Sequence, residues 1–324
     1  MKNINIAILL ESNLSLIIAH RGASGYLPEH TLEAAAYAYA LGADYIEQDI
    51  VLSKDLIPVV MHDIYLDFTT NVKRIFPNRK REDGHWYVRD FELSELKKLN
   101  VNERLKSDAT EKAFLNRYPL ERGTFKICTL KEQIELIQGL NKSTQRNVGI
   151  YPEIKNPSWH RHEGLDISSV TLGQLEDYGY TSKKDKIFFQ CFDSNELRRI
   201  KYELNSSLPL IQLIGNNAWN ESGDDYSQMV SLEGIENVSK YAIGIGPYLQ
   251  LLYRVSSLDG DIKASKLSHH ARNNGLYIHP YTIRKDSIPL DFDDFEKMVK
   301  WFTLELKVDA LFTDFVDLTV QAMK

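Results

Sequence analysis

The chain has 324 residues, 43% of them hydrophobic and 26% charged, the composition of an ordinary globular protein and not of a disordered, collagen-like or disulfide-stapled one. A formal charge of -6 leaves no basic stripe for nucleic acid, and no stretch approaches the roughly 20 apolar residues of a membrane-spanning helix. Two cysteines, Cys128 and Cys191, are too few for a disulfide framework or a thiolate metal site, and both read as small buried hydrophobes.

The first ten residues, MKNINIAILL, faintly resemble the start of an export signal. Their apolar run is short, is broken by Asn3 and Asn5, and lacks a small-x-small cleavage site, so read literally it is not one. From there a strand pattern recurs after helical stretches. Strands are predicted at 16–20, 45–52, 148–153, 186–191, 210–214, 241–245, 276–281 and 309–313, several near-continuously apolar, as parallel strands covered on both faces are. Helical spacing fills 31–41, 130–140, 168–178, 194–204, 262–273 and 295–306, with Gly42, Gly179 and Gly275 as stops and Asp193 with Glu196 as a capping box. Eight such strand–helix units fit an α/β protein with a closed (β/α)8 TIM barrel, a single unit over 14–324. A run at 57–61 reads as an extra hairpin strand. The stretch 65–126, with NRKREDGHW and one short helix at 94–99, is too long for a barrel loop and reads as a small inserted subdomain capping one end.

Active sites of such barrels collect at the C-terminal strand ends, and polar residues are concentrated there. Glu47 and Asp49 lie two apart on one strand and therefore share a face. With Glu153 they make an all-oxygen donor set suited to Ca²⁺ or Mg²⁺, although such a pair can equally be solvated or salt-bridged. His20 and His62 each follow an apolar run; two imidazoles near three carboxylates can serve as base and acid if the fold unites them, and are otherwise structural. Arg21 and Lys155 suggest a clamp for an anionic substrate, or else ion pairs that neutralise the carboxylates. Gln190, His279, Tyr281 and Asp314 follow on later strands. His160 and His162 form an H-x-H pair in what reads as a polar loop, which argues against zinc; His269 and His270 read as solvated on a helix. No Walker A loop, G-x-G-x-x-G or G-x-S-x-G occurs, which disfavours nucleotide hydrolysis, dinucleotide redox chemistry and a serine hydrolase.

Taken together, HRGASGYLPEHTLEA, YIEQDIVLSKDLIPVVMHD, GIYPEIKNP, QCFD, HPYT and LFTDF resemble the glycerophosphodiester phosphodiesterase family, in particular its bacterial periplasmic type, from about Leu16 onward and through HWYVRDFELSELKKL of the inserted segment. The resemblance implies a (β/α)8 barrel that hydrolyses glycerophosphodiesters to glycerol 3-phosphate and an alcohol. It implies a divalent ion on Glu47, Asp49 and Glu153, Ca²⁺ ahead of Mg²⁺, with His20 and His62 as the acid/base pair. Arg21 and Lys155 would grip the phosphate, while Gln190, Phe192 and Tyr281 would line the glycerol and head-group pocket. Where much of the family reads P-E-N-T this chain has Pro28, Glu29, His30 and Thr31, which leaves the role of His30 open. The implied partner is a small-molecule substrate, with no nucleic acid and no integral membrane segment, and a homodimer is one assembly to test. The implied compartment is the periplasm, with the cytoplasm as the alternative because the start of the chain lacks a convincing signal. A phospholipase C or D acting on intact lipid and a non-catalytic protein on the same barrel are the competing readings. The first calls for an apolar interfacial surface, and the second for losses among His20, Glu47, Asp49, His62 and Glu153, all of which are present.

Overall fold

A computed structural model describes residues 15–106, 111–257 and 260–324; the MKNINIAILL segment lies outside them. The strands are β1 (Leu16–Ala19), β2 (Tyr45–Leu52), β3 (Pro58–Val60), β4 (Gly149–Ile154), β5 (Phe189–Cys191), β6 (Leu210–Ile214), β7 (Gly244–Pro247), β8 (Tyr253–Val255), β9 (Ile262–Ala264), β10 (Tyr277–Ile278) and β11 (Ala310–Thr313). Eight run parallel in the order β10, β7, β6, β5, β4, β2, β1, β11. The ring closes where the Asp309 and Phe312 amides donate to the carbonyls of Ile278 and Pro280, both at 3.1 Å, and Ile283 N–H donates to Phe312 O at 2.8 Å. The architecture is the (β/α)8 barrel that strand–helix alternation predicts.

Alternation along each strand builds two cores. Ile18, Tyr45, Tyr151, Ile211 and Phe312 fill the lumen, while Ile17, Ala19, Ile46 and Ile50 face outward against Ala35, Ala38, Ile134 and Ile137 of the surrounding helices. With Tyr45 in the lumen, Glu47 and Asp49 must also point inward, nearer the C-terminal mouth. The helix Leu32–Leu41 is fixed at both ends: Thr31 accepts from the Ala34 amide, and Gly42 at φ 102° donates back to the carbonyls of Ala38 and Tyr39. Thr129 and Glu132 form a reciprocal capping box that opens the helix Leu130–Thr144.

Several predicted elements differ. The helix read at 262–273 starts only at Lys266, because Ile262–Ala264 pairs antiparallel with β8 and Ser265 then caps the helix. Residues 157–162, read as loop, form a helix opened by Pro157. The helix read at 94–99 is one turn, Leu93–Leu96, and that at 295–306 changes to a π-turn after Lys300. Asp193 does cap its helix, but Glu196 turns its carboxylate to Arg161 and Arg199 instead of back to the cap. Helices at Leu232–Val238 and Val316–Ala322 were not anticipated.

β3 folds back on β2 as an antiparallel hairpin, and the segment after it packs its own apolar cluster, with Leu66, Trp86, Phe91, Leu96 and Phe125 against Val51, Val59 and Met61 of the hairpin. This segment is tied to the barrel by Tyr87, stacked on Trp159 at 5.4 Å, and by Arg81, which bridges Asp90 and Glu163. Cys128 and Cys191 are both buried and free. No helix among the described residues is long and apolar enough to cross a membrane.

Two histidines away from the mouth make the fold sensitive to acid. His160 is fully buried; it donates from Nδ1 to Asn156 O at 3.0 Å and accepts the Leu52 amide at Nε2. His279 in the lumen meets the Tyr151 hydroxyl at 2.8 Å. Burial pushes the imidazole of His160 from 6.5 down to about 4, and that of His279 to about 3. Both are neutral when folded, whereas in the unfolded chain they take up a proton below about 6.5. Their contribution to stability is therefore complete above that pH and is lost as pH falls toward 4 and then 3. The carboxyls of Glu47 and Glu153, which burial raises, act with the opposite sign, so the test is a difference. Between a pH of about 6.5 and about 4, Tm followed by circular dichroism should change less unfavourably in His160→Gln than in the parent; equal changes would remove His160 from the acid response.

Candidate active site

All ten residues singled out for the site line one cleft at the C-terminal mouth, about 450 Å³ of open space, together with Leu213, Trp219, Glu221 and Phe312. His20 and Arg21 leave the end of β1, and Glu47 and Asp49 project from β2. His62 ends the β2–β3 hairpin, Glu153 and Lys155 come from β4 and its exit, Gln190 and Phe192 from β5 and its exit, and Tyr281 follows β10.

The three carboxylates are almost wholly buried and crowd one another. Asp49 stands directly opposite Glu153 in the β2–β4 register. Burial, with the Asp49 charge beside it, drives the Glu47 carboxyl well above its ordinary range against the opposing pull of Arg21. The Glu153 carboxyl is pushed up to about 8 by burial and Asp49, despite the Lys155 ammonium at 2.7 Å. Asp49 goes the other way: burial would raise it, but His62, His30 and Lys155 hold it well below the usual carboxylate range. His30 Nε2 lies 2.7 Å from Asp49 Oδ2, while Asp49 Oδ1 is buried without a partner. Donor atoms of His30, Glu47 and Asp49 fall within 4.8 Å of one another. A hard cation fits the carboxylates of this group: it would neutralise acids that cannot all ionise side by side and satisfy the orphaned oxygen of Asp49, with His30 hydrogen-bonded behind. Glu153 lies on the neighbouring strand with its Oε1 on Lys155, so the tightest donor group contains His30 where the sequence reading placed Glu153.

Each strand-end histidine is backed by a carboxylate. His20 Nδ1 is 2.7 Å from Asp314 Oδ1, and His62 Nδ1 is 2.7 Å from Asp63 Oδ1. An ionised carboxylate only accepts, so Nδ1 carries the proton and Nε2 keeps its lone pair. Lys155 Nζ approaches His62 Nε2 at 3.4 Å. Burial and then Arg21 press the His20 imidazole down to about 3, against the pull of Asp314; burial, Arg21 and Lys155 lower that of His62. Both rings are bases at neutral pH until negative charge enters the cleft.

The two cations are ion-paired and face the same space. Arg21 donates its amide to Glu47 at 2.6 Å and its guanidinium to Glu29 at 3.1 Å, with Nε 3.4 Å from Asp49. Its loop depends on Gly22, at φ 81°, where a Cβ would sit 2.8 Å from the backbone of Ala34. Lys155 contacts Glu153 and, at 3.6 Å, Glu221. The apolar wall is formed by Phe192 edge-on to Tyr281 at 6.0 Å and by Trp219. Gln190 adds a buried, unpartnered Oε1.

Several participants carry no sequence signal that assigns them a role. The role of His30 was open, since no periodicity marks a residue at φ 64° just before a helix cap. Asp314 was noted only as a strand-end acid. Arg104 and Arg117, which reach the site from the inserted segment, carry no local signal at all, and neither do Trp219 and Glu221 on the loop after β6.

Residues 20–318 match the model of the glycerophosphoryl diester phosphodiesterase family. The chain is 42% identical to a glycerophosphodiester phosphodiesterase of Haemophilus influenzae over 326 aligned residues, 95% of this chain and 90% of that protein. It is 35% identical to one of Treponema pallidum, over 94% and 91% of the two chains. Among solved structures, a glycerophosphodiester phosphodiesterase of Agrobacterium tumefaciens superposes with a TM-score of 0.62 at 21% identity, over 95% of this chain and all of that one. A phosphodiesterase of Oleispira antarctica, solved with its product sn-glycerol-3-phosphate, gives 0.62 at 21% identity over 96% and 97%; at that identity both structures speak to the fold. With the family match running nearly end to end and a relative above 40% identity, the chain belongs to the glycerophosphoryl diester phosphodiesterase family.

Proposed function

We propose that the cleft hydrolyses glycerophosphodiesters, deacylated phospholipids such as glycerophosphocholine or glycerophosphoethanolamine, to glycerol 3-phosphate and a free alcohol, with His20 and His62 as the acid/base pair. The observation that carries this reading is the convergence of two carboxylate-backed imidazoles, three buried carboxylates, a guanidinium and an ammonium on one mouth. The names of the Haemophilus and Treponema relatives point to the same activity.

Arg21 and Lys155 bind the phosphodiester anion, and Phe192 and Tyr281 pack against its carbon skeleton and keep bulk water out. The anion adds negative charge beside His20 and His62 and favours protonation of one ring, while Asp63 and Asp314 stabilise the imidazolium. One histidine takes the proton from the attacking oxygen, either water, which gives glycerol 3-phosphate directly, or the neighbouring glycerol 2-hydroxyl, which gives a cyclic phosphate that water then opens. The other gives a proton to the departing alcohol oxygen at its Nε2. Glu47, Asp49 and Glu153 would hold a divalent ion, Ca²⁺ ahead of Mg²⁺, with His30 fixing one oxygen of Asp49 so that the other faces inward. When bound, such an ion supplies Lewis-acid polarisation of a phosphoryl oxygen and neutralises the buried carboxylates.

A coupled assay of glycerol 3-phosphate release from a panel of glycerophosphodiesters, with and without chelator, tests the reading, and absence of release from every member would overturn it. Asp49→Asn should lose metal affinity and turnover together; normal rates in excess Ca²⁺ or Mg²⁺ would take Asp49 out of the ligand set. His62→Ala should keep the metal, measured by calorimetry, and lower kcat by roughly 10² to 10⁴, whereas an unchanged kcat would remove His62 from the chemistry. Single-turnover quenching for a cyclic phosphate separates the two nucleophiles.

A further inference from the structure

The carboxylates behind the histidines are themselves held, and each is held by an arginine of the inserted segment. Asp63 gives Oδ1 to His62 and Oδ2 to Arg104 Nη1, each at 2.7 Å. Asp314 gives Oδ1 to His20 at 2.7 Å and Oδ2 to Arg117 Nη2 at 2.6 Å. Each arginine is fixed in turn by a second carboxylate: Arg104 forks onto Glu29 at 2.9 and 2.6 Å, and Arg117 onto Asp286 at 2.8 and 3.0 Å. Neither arginine lines the cleft, and their side chains are only 17% and 5% exposed. They stand behind the carboxylates and not on the cleft wall.

We propose that the inserted segment is part of the catalytic apparatus, with Arg104 and Arg117 as positioning residues that hold Asp63 and Asp314 and, through them, His62 and His20. The inference rests on the reading of those histidines as acid and base. A carboxylate fixes the tautomer and orientation of its imidazole only if it cannot rotate. Here one oxygen of each carboxylate is pinned by a planar guanidinium whose own rotation is blocked by a second fork. The two arms differ in one respect. Asp314 also accepts from Arg284 Nε at 2.7 Å, outside the insertion, whereas Arg104 is the one arginine recorded on Asp63 among the described residues. Arg104 therefore carries more of its dyad than Arg117 does. Arg81 provides an internal comparison: it ties the insertion to the barrel through Glu163 and touches neither dyad.

The test is steady-state kinetics of glycerol 3-phosphate release by the full chain, with folding checked by thermal melting. Arg104→Gln should lower kcat about 10-fold or more, the loss typical of groups that orient a reacting residue from behind; because Glu29 also accepts from Arg21, KM should rise as well. Arg104→Lys should recover part of it. Arg117→Gln should cost less, and Arg117→Gln with Arg284→Gln more. In an Asp63→Asn background Arg104→Gln should add little, because both changes release the same ring. Arg81→Gln should leave kcat unchanged. Wild-type kcat in Arg104→Gln, full additivity with Asp63→Asn, or an equal loss in Arg81→Gln would overturn the proposal. If Arg104→Gln does not fold, Arg104→Lys takes its place in the same cycle and the same additivity decides. His20→Ala and His62→Ala run alongside: normal turnover in both sinks the reading beneath, whereas their loss beside a wild-type Arg104→Gln sinks this inference alone.

Discussion

Carboxyl groups forced together out of water dominate the mouth of this barrel. Because β2 alternates with Tyr45 inside, Glu47 and Asp49 have no outward option, and the parallel register with β4 sets Glu153 beside Asp49. Like charges packed this way tolerate one another only when cations stand close. Arg21 and Lys155, with the raised carboxyls of Glu47 and Glu153 that keep their protons, are the local answers to that repulsion. Burial with the same crowding of acids accounts for the raised carboxyls of Glu47 and Glu153, while His62, His30 and Lys155 hold that of Asp49 down against burial.

The polar residues are ordered in shells. Imidazoles, an ammonium and a guanidinium touch the open space; behind the imidazoles stand Asp63 and Asp314; behind those stand arginines of the inserted segment, braced by Glu29 and Asp286. The aromatic and aliphatic cluster under the insertion holds its backbone in place. Packing far from the mouth is thus connected, through two layers of ion pairs, to the rings that line it.

Much of this was legible from residue order, for physical reasons that differ by element. β2 and β4 are recognisable because they are buried on both faces and therefore read as apolar runs interrupted only by the inward acids. Strand-end residues such as His20 and His62 are visible because the barrel collects chemistry at one rim. What was not legible depends on contacts between distant parts of the chain. His30 acquires its role from a turn that bends it onto Asp49, and the positions of Arg104 and Arg117 exist only once the insertion has folded over the mouth. Ile262–Ala264 was read as helix because a three-residue edge strand has too little pattern to compete with the helical spacing that follows it. His160 and His162 were read as loop because polarity in a short segment resembles a turn, when Pro157 in fact opens a helix.

The closing seam of the barrel has a temporal consequence. β11 lies between β1 and the segment after β10, and Asp314, the residue that steadies His20, comes immediately after it. β11 also follows every other strand among the described residues, so the ring can close only after the C-terminal part of the barrel has been made. Until it zips into place, His20 has no carboxylate behind it and the ring of strands has a gap. A polypeptide cut before β11 would lose the closing seam and the carboxylate behind His20 together, so that opening of the ring and release of that imidazole would be one event and not two.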